Sequence, residues 1–324
     1  MISFPPVEKR ALLHVHTRAS DGTGTMEEVM AEAMAAGADI LGINDHRTLW
    51  ARDNGYGGWN SSLFVLAGTE LEDSAGKSHV LAYGIDCLPS SADTSEQIEF
   101  VNRRGGVAIA AHPTEAPGKL PRTGSYSWTA DSTDGLAGVE VWNYMSLWKK
   151  DISLLNMRTK LRHPDSSVEH PDPAAIEFWR NVGGCAIAGP DAHALKFGPG
   201  RWKLVVFPYS MLFGRLLTHI LLDEELPGDD APAERKILDA LKRGSCFTSN
   251  AIMGDARGFR AAREKGRVAF RLPSAGEVAV MGREGITWTG RLGPGLHRTG
   301  PAAEGPLSIH VYRKGRTWIY CGLP

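Results

Sequence analysis

Histidine and carboxylate side chains gather at the ends of predicted strands in this sequence of 324 residues. Six of the eleven histidines and three acidic residues stand at or just beyond the carboxyl end of a predicted strand. They are His14, His16, Asp21, His46, Glu70, His79, His112, Asp191 and His193. A mixed set of imidazole and carboxylate ligands suits Zn, Fe or Mn rather than Ca or Mg alone. The pattern therefore predicts a centre of divalent metal ions.

Two of these histidines, His14 and His16, are separated by one residue on the predicted strand 11–17. Alternate side chains of a strand share a face and lie about 6.6 Å apart along the chain, so both imidazoles can reach one metal ion. A single strand histidine is more often packed or hydrogen bonded than a ligand. His219, for example, has no acidic partner in the sequence pattern and is interpreted as structural. The prediction therefore depends on nine candidate ligands occurring together, a costly arrangement unless they bind cations.

Strand and helix patterns alternate over about the first 250 residues, which predicts an α/β fold with parallel strands. The predicted strands cover 11–17, 39–44, 63–68, 79–84, 107–111, 138–142, 185–188, 204–208 and 246–249. The predicted helices cover 25–37, 95–104, 147–161, 173–182 and 233–243. Seven or eight such units suit a barrel better than an open sheet. In a parallel barrel the carboxyl ends of the strands meet at one mouth, where active sites form.

The pattern changes after Asp255. Short alternating runs follow, separated by glycine and proline, and no helical periodicity appears beyond Gly266. The runs cover 268–272, 277–281, 287–289, 307–312 and 317–320. They predict a small antiparallel β unit, a sandwich. We therefore expect two domains, a metal-binding barrel over 1–255 and a β-sandwich over 256–324.

Composition excludes several classes of protein. The net charge is −1 and 42% of residues are hydrophobic, as in ordinary globular proteins, so long disorder is not expected. The four cysteines lie far apart, which excludes a disulfide scaffold and disfavours a cysteine zinc site. The first ten residues lack the apolar core of a signal peptide, and the longest apolar stretch, 204–222, is interrupted by Pro208, Arg215 and His219. We expect a soluble cytoplasmic protein that does not associate with membranes.

Charge is unevenly distributed along the chain. From Arg257 onward there are twelve basic and four acidic residues, a balance of +8, whereas the preceding part carries 24 basic and 33 acidic residues, a balance of −9. An acidic first part suits bound metal cations. Because that part has no extended basic stripe, we do not expect a nucleic-acid partner larger than a short nucleotide.

Several motifs resemble those of the PHP (polymerase and histidinol phosphatase) superfamily, in the same order along the chain. They are HVHTRASDG at 14–22, NDH at 44–46, GTE at 68–70, His79, His112 and PDAH at 190–193. This resemblance covers about residues 8–250 and implies a distorted (β/α)7 barrel. RGSCFTSN at 243–250 and the ending HVYRKGRTWIYCGLP resemble the carbaryl-hydrolase-like (CehA/McbA-like) branch, which implies an Ig-like C-terminal domain.

The resemblance also implies two or three divalent metal ions (Zn, Mn or Fe) and a division of the ligands among them. His14, His16, Glu70 and Asp191 would hold the first ion. Glu70 would bridge to a second ion held also by His79 and His112, and Asp21, His46 and His193 would hold a third. The resemblance implies catalytic roles for Glu70, Asp191 and His193, around a metal-bridging hydroxide that would act as the nucleophile. Two departures from the family pattern, Gly189-Pro190 and Arg47, remove no ligand.

Cationic side chains near the strand ends are candidates for holding a phosphate group. Arg18 follows the HxH motif and is the first candidate, and Arg47 and Arg201 come next because they lie in strand-end loops. Guanidinium groups bind phosphate through paired hydrogen bonds. Asn143 follows a predicted strand and is expected to reach the mouth, while Glu140 lies deeper in the same strand.

The predicted function is that of a metal-dependent phosphoesterase acting on a small phosphomonoester or nucleotide. The first alternative is a carbamate or carboxylic ester hydrolase that uses the same metal site. The second is a non-catalytic accessory module, against which the nine intact ligands argue. Loop aromatic residues such as Tyr126 either stack on a base or aryl group or hold the loops in place. The sequence predicts no particular oligomeric state.

Overall fold

The computed structural model describes residues 4–121, 123–197, 204–264, 266–301 and 304–324. Over about the first 250 residues, strands alternate with helices. The strands are β1 (Val7–Val15), β2 (Ile40–Ile43), β3 (Gly58–Asn60), β4 (Leu63–Leu71), β5 (Val80–Tyr83), β6 (Val107–Ala110), β7 (Gly138–Asn143), β8 (Cys185–Gly189), β9 (Leu195–Phe197), β10 (Leu204–Val206), β11 (Leu216–Leu222) and β12 (Cys246–Asn250). The helices are α1 (Met26–Ala35), α2 (Trp50–Asp53), α3 (Thr94–Arg103), α4 (Tyr144–Lys149), α5 (Met157–Arg162), α6 (Pro173–Val182), α7 (Tyr209–Leu212) and α8 (Asp230–Lys242). The α/β class predicted from the sequence is confirmed.

Seven strands follow one another across a large sheet in the order β1, β2, β4, β5, β6, β7, β8. All run parallel except β5, which pairs antiparallel with both of its neighbours. The last of the seven strands returns to the first. Val15 and Ala192 form a parallel bridge, and the His16 amide donates to the Ala192 carbonyl at 3.0 Å. The carboxyl ends of the parallel strands therefore lie close together.

The prediction of parallel strands throughout was wrong, because several strands before residue 250 pair antiparallel. The loop between Leu71 and Val80 is shorter than the crossover of about a dozen residues that a parallel connection needs. β5 therefore folds back along β4, with Leu81 opposite Glu70. β11 was not predicted as a strand, because it lies inside the apolar run 204–222. It pairs antiparallel with β1 on one side and with β12 on the other.

Local sequence signals explain where helices begin and end. The Thr25 hydroxyl accepts the Glu28 amide at 3.2 Å, and the Glu28 carboxylate accepts the Thr25 amide at 2.9 Å, so a capping box begins α1. Gly37, at φ 72°, follows its end as predicted. The single helix predicted over 147–161 was wrong. α4 ends at Lys149, because Asp151 adopts a left-handed conformation at φ 59°, and α5 begins only at Met157.

The chain after residue 255 forms strands, as predicted. They are β13 (Arg260–Glu264), β14 (Arg267–Leu272), β15 (Gly276–Gly282), β16 (Gly285–Leu292), β17 (Gly295–Pro301), β18 (Leu307–Arg313) and β19 (Arg316–Leu323). β16, β15, β18 and β19 extend the large sheet, because β19 pairs with β12 through Thr248–Tyr320 and Ser249–Ile319. β13, β14 and β17 form a separate antiparallel sheet.

Apolar side chains of both sheets share one core in this C-terminal region. Phe270 comes from the smaller sheet, while Val280, Ile309 and Trp318 come from the strands that extend the large one. Hydrogen bonding thus continues across residue 255, and the domain boundary there stays a prediction. None of the helices in the described ranges is long and apolar enough to cross a bilayer.

Candidate metal centre

The structure brings the nine predicted ligand residues together. Their donor atoms form four overlapping groups, and within each group these atoms lie within 4.8 Å of one another. The groups are His16, Asp21, His46 and His193; His14, His16 and Glu70; His14, His112 and Asp191; and His46, Glu70 and His79. Every predicted ligand therefore belongs to at least one group that could hold a metal ion.

Glu70 lies at the centre of this arrangement and is almost completely buried. Its Oε2 atom lies 3.3 to 3.5 Å from the Nε2 atoms of His14, His16 and His46. Its Oε1 atom lies 2.7 Å from His79 Nδ1 and 3.2 Å from His112 Nε2. Each carboxylate oxygen thus faces its own set of imidazoles, as expected of a ligand shared by two neighbouring ions.

Two aspartates complete the arrangement. Asp191 Oδ1 lies 3.4 to 3.6 Å from ring nitrogens of His14, His16 and His193. Asp21 Oδ1 lies 3.2 Å from His193 Nε2, and its Oδ2 lies 3.8 Å from His46 Nε2. Asp191 is buried, whereas Asp21 is exposed at the rim of the cleft.

Several buried imidazole nitrogens have no hydrogen-bond partner among the described residues. They are both ring nitrogens of His16, Nδ1 of His46, Nε2 of His79 and Nδ1 of His112. A buried polar atom without a partner costs about 1–3 kcal/mol, and native proteins contain few of them. Imidazole nitrogens without hydrogen-bond partners, crowded beside several carboxylates, fit divalent cations of the Zn, Mn or Fe type.

Backbone conformation at the strand ends orients several of these candidate ligands. His14, His112 and Asp191 have φ angles of 66°, 28° and 51°, in the left-handed region that non-glycine residues rarely occupy. The β1–β2 register shifts between Leu12 and Val15, so His14 lies in an irregularity of its strand. The ring centroids of His14 and His16 are only 5.2 Å apart. Such strain, about 1–3 kcal/mol for each residue, is typical of functional sites.

His79 reaches the site by a route that the sequence did not predict. It precedes β5 instead of following the carboxyl end of a strand. Because β5 runs antiparallel to β4 and β6, its amino end lies beside the carboxyl ends of those strands. The ring of Tyr126 stacks on the His79 ring with centroids 5.0 Å apart.

Glu140 holds two of the candidate ligands in position through hydrogen bonds. Its buried carboxylate lies 3.0 Å from His14 Nδ1, and it accepts hydrogen bonds from the His112 amide at 3.0 Å and from Asn143 Nδ2 at 2.9 Å. A hydrogen bond at Nδ1 leaves the Nε2 lone pair of His14 directed toward Glu70 and Asp191. A side chain at Gly189 would place its Cβ 2.2 Å from Glu140 Oε1, so this contact requires glycine.

The electrostatics of the centre keep some imidazoles neutral and others protonated. Burial lowers the pKa of His16 to about 4, and the nearby charge of His193 adds to this effect. Burial alone would also lower the pKa of His193, but its hydrogen bond with Asp21 and the charge of Asp191 raise it to about 9. Burial would raise the pKa of Asp21, yet the same hydrogen bond and charge of His193 lower it to about 2. The lowered pKa of His16 favours the neutral imidazole that binds a metal ion, while the carboxylates that raise the pKa of His193 could bind the same cation.

The centre opens into a cleft with a volume of about 270 Å³. Six residues outside the predicted ligand set also line it, namely Glu72, Glu115, Tyr126, Met145, Lys149 and Leu195. Lys149 is the one lysine or arginine among the lining residues that the structure describes. Its Nζ lies 2.5 Å from Glu115 Oε1 and 4.6 Å from the centroid of the Tyr126 ring. The available sequence signal was its place on α4, which begins directly after the carboxyl end of β7.

Comparisons with known proteins find partial similarity to several solved structures. No family model and no curated protein matches the chain. A two-domain protein from Bacteroides vulgatus, which contains a predicted PHP-like metal-dependent phosphoesterase, is 12% identical over 99% of this chain and 97% of its own, with a TM-score of 0.49. A protein from Bifidobacterium adolescentis, named for a predicted metal-dependent phosphoesterase activity, is 18% identical over 60% and 90%, with a TM-score of 0.37. An amidohydrolase from Chromobacterium violaceum with bound sulfate and no metal is 17% identical over 56% and 87%, with a TM-score of 0.31.

Of the residues predicted to bind substrate, Arg18, Arg47 and Asn143 are not among those that line the cleft. Arg18 is exposed, and its amide donates to the Gly24 carbonyl at 2.9 Å. Arg47 is exposed, and its guanidinium donates to the Glu72 carbonyl at 3.2 Å. Asn143 is buried, and its Nδ2 donates to Glu140 and, at 3.3 Å, to Asp191. Arg201 lies outside the described residues. Their roles in substrate binding stay predictions.

Proposed function

We propose that this protein is a metal-dependent hydrolase of the PHP type that cleaves a small phosphoester. One observation carries the proposal: the two oxygens of Glu70 face separate sets of imidazoles, some of whose buried nitrogens have no hydrogen-bond partner among the described residues. The return of the seventh strand to β1 supports a distorted (β/α)7 barrel. The two sheets that share a core after residue 255 support an Ig-like sandwich.

The proposed ligand sets overlap with the clusters in the structure but are not identical to them. His14, His16, Glu70 and Asp191 would hold one ion, and Glu70 would also contribute to a second ion held by His79 and His112. Asp21, His46 and His193 surround a third position, which His16 also approaches. Bound divalent cations supply a water of lowered pKa as the nucleophile and polarise the oxygen atoms of an ester.

Side chains of this protein orient the candidate ligands and set the charge of the cleft. Glu140 orients His14, and Asn143 holds both Glu140 and Asp191 in place through its amide group. Glu70, Asp191 and His193 line the cleft and are the proposed catalytic residues. Five carboxylates line the cleft against one lysine, so an anionic substrate is repelled unless cations are bound.

A carbamate or carboxylic ester hydrolase that uses the same centre is the second candidate. It is favoured by the state of Lys149, the one cationic lysine or arginine in the described lining, which already pairs with Glu115. A neutral ester needs no cationic side chain beyond the metal ions. A phosphoester would instead be bound more tightly because of Lys149, whose ammonium group would leave Glu115 and pair with a phosphate oxygen.

A direct assay distinguishes the two candidates. We would load one purified batch separately with Mn, Fe or Zn and supply it with 4-nitrophenyl phosphate and 4-nitrophenyl acetate. A His46→Ala variant would serve as the control for contaminating enzymes. Metal-dependent phosphate release that the variant loses supports the phosphoesterase, and turnover of the acetate ester alone supports the second candidate. Metal binding without turnover of either substrate would contradict both.

A further inference from the structure

A second cavity adjoins the metal cleft and differs from it in chemistry. Its volume is about 360 Å³, within the range of small-molecule sites. Its walls are largely aliphatic and aromatic, formed by residues such as Leu120, Trp148, Ile152, Leu161, Phe197 and Leu204. Met145, Lys149 and Leu195 line both cavities, so the two meet along these three side chains.

We propose that the substrate of the metal centre carries an apolar alkyl or aryl group that occupies this second cavity. The ester then lies at the metal ions, and the apolar group extends past Lys149 between the walls supplied by α4, α5 and the β9–β10 pair. This inference rests on the proposed hydrolase function and names the class of molecule on which it acts: an amphiphilic ester with one polar end.

The polar groups on the wall of the cavity support an apolar occupant, because they are already engaged. The Thr123 hydroxyl donates to the Leu120 carbonyl at 2.6 Å, and the Lys149 ammonium pairs with the buried carboxylate of Glu115 at 2.5 Å. A polar ligand would find few free partners in the described lining. An apolar ligand is instead stabilised by the removal of its surface from water.

The rim of the cavity supports the same conclusion. Phe197 and Leu204 lie opposite each other on β9 and β10, and they are 47% and 54% exposed. Large apolar side chains exposed beside a concave pocket are typical of binding sites. A bound alkyl or aryl group would cover part of both side chains while its polar end reached the metal cleft.

The test is a homologous series of n-alkyl phosphates from ethyl to octyl, supplied to the metal-loaded protein. Each methylene that enters the cavity contributes about 0.8 kcal/mol, so kcat/KM should rise about threefold to fourfold per methylene until the cavity is filled. Binding of methylphosphonate and hexylphosphonate, which are not hydrolysed, is measured in parallel by calorimetry. We expect hexylphosphonate to bind at least tenfold more tightly.

Two variants locate the effect in this cavity. Phe197→Ser combined with Leu204→Ser removes part of the apolar wall, and Leu161→Trp fills the cavity from the opposite element, α5. Both should lower the ratio of kcat/KM for octyl phosphate to that for ethyl phosphate and so flatten the dependence on chain length. The matched control is Leu154→Ser with Leu155→Ser, two side chains that are 80% and 98% exposed and do not line the cavity. The control should keep the full dependence.

The outcomes separate this inference from the function on which it rests. Absence of metal-dependent hydrolysis across the series would contradict the phosphoesterase, while tighter binding of hexylphosphonate would still support the apolar subsite. If neither the rate of hydrolysis nor the affinity for phosphonates depended on chain length, the apolar subsite would be overturned and the hydrolase function would stand. The subsite would also be overturned if wild-type protein formed a dimer that the Phe197→Ser, Leu204→Ser variant could not form, because the patch would then be a contact between two copies.

Discussion

Two histidine clusters in this molecule contain similar residue types but differ in how their hydrogen bonds are satisfied. One is the metal centre. The other, which we name the buried relay, consists of Glu8, His219 and Ser249. Glu8 Oε1 lies 2.7 Å from His219 Nδ1, and His219 Nε2 lies 2.8 Å from Ser249 Oγ. A carboxylate, an imidazole and a hydroxyl in this order resemble a nucleophilic triad.

The buried relay nevertheless has the character of a structural element. His219 and Ser249 are each 1% exposed, and the His219 ring stacks on Phe247 at 4.3 Å between centroids. Both ring nitrogens have partners, whereas four histidines of the metal centre have ring nitrogens without a partner in the part of the chain that the structure describes. The other oxygen of Glu8 accepts from Arg260 and from the Gly258 amide at 2.9 Å, which ties β1 to the C-terminal region. The comparison teaches that unsatisfied imidazole nitrogens, and not histidine content, mark the reactive cluster.

The largest expected effect comes from making the same substitution in both clusters. Glu70→Gln removes the shared ligand and several kcal/mol of transition-state stabilisation, so kcat/KM should fall about 10³-fold or more while the fold persists. Glu8→Gln should have the opposite profile: the free energy of unfolding falls, and activity per folded molecule is retained. Steady-state kinetics and urea denaturation of both variants check this prediction. Equal losses of activity in the two variants would contradict the functional distinction between the two clusters.

The next effect concerns the support of the metal ligands. In Glu140→Gln, an amide NH₂ would face the donors that the carboxylate now accepts, and the charge that holds His14 is lost. Metal affinity should fall about 10–100-fold, as it does for other supporting groups of metal ligands. Titration with Zn²⁺ against a chelator measures the affinity, and excess metal should restore part of the activity. An unchanged affinity would show that Glu140 does not position His14.

The buried relay should make stability depend on pH. Burial lowers the pKa of His219, although the hydrogen bond and charge of Glu8 oppose the shift. The folded state then binds this proton less readily than the unfolded state, so its stabilising contribution is complete above about pH 6.5 and declines as the pH falls below that value. In His219→Gln the free energy of unfolding should depend less steeply on pH between 7.5 and 5.5. Parallel urea denaturation curves measure the difference, and identical slopes would contradict the assignment.

The smallest effect is expected for Ser249→Ala. This change removes one buried hydrogen bond and leaves His219 Nε2 without a partner, which costs about 1–3 kcal/mol of unfolding free energy. Activity at the metal centre should not change, because Ser249 is not the nucleophile. Thermal unfolding and the nitrophenyl assay test both parts. A large loss of activity in a folded variant would show that the relay takes part in catalysis.

The grouping of the nine candidate ligands could be predicted because most of them lie at or near strand ends that the local sequence signals. His79 joins the cluster by a route that differs from the predicted one, since the direction of β5 depends on the length of its connection to β4. Lys149 and Glu115 were missed as lining residues because only tertiary packing brings α4 and the loop after β6 to the cleft. His219 was interpreted as structural because it lacked a carboxylate, yet Glu8 is its partner across the β1–β11 ladder. That pairing joins residues more than 200 positions apart, which local patterns do not reveal.

The measurement that tests the central claim most directly is electron paramagnetic resonance of the Mn²⁺-loaded protein, with the metal content determined on the same sample. Because Glu70 directs one oxygen at each set of imidazoles, we predict at least two Mn²⁺ ions per chain and a signal from a magnetically coupled pair. Glu70→Gln should lose the coupled signal and retain only isolated Mn²⁺ or none. A wild-type protein that binds a single uncoupled ion, or that binds no metal, would contradict the account.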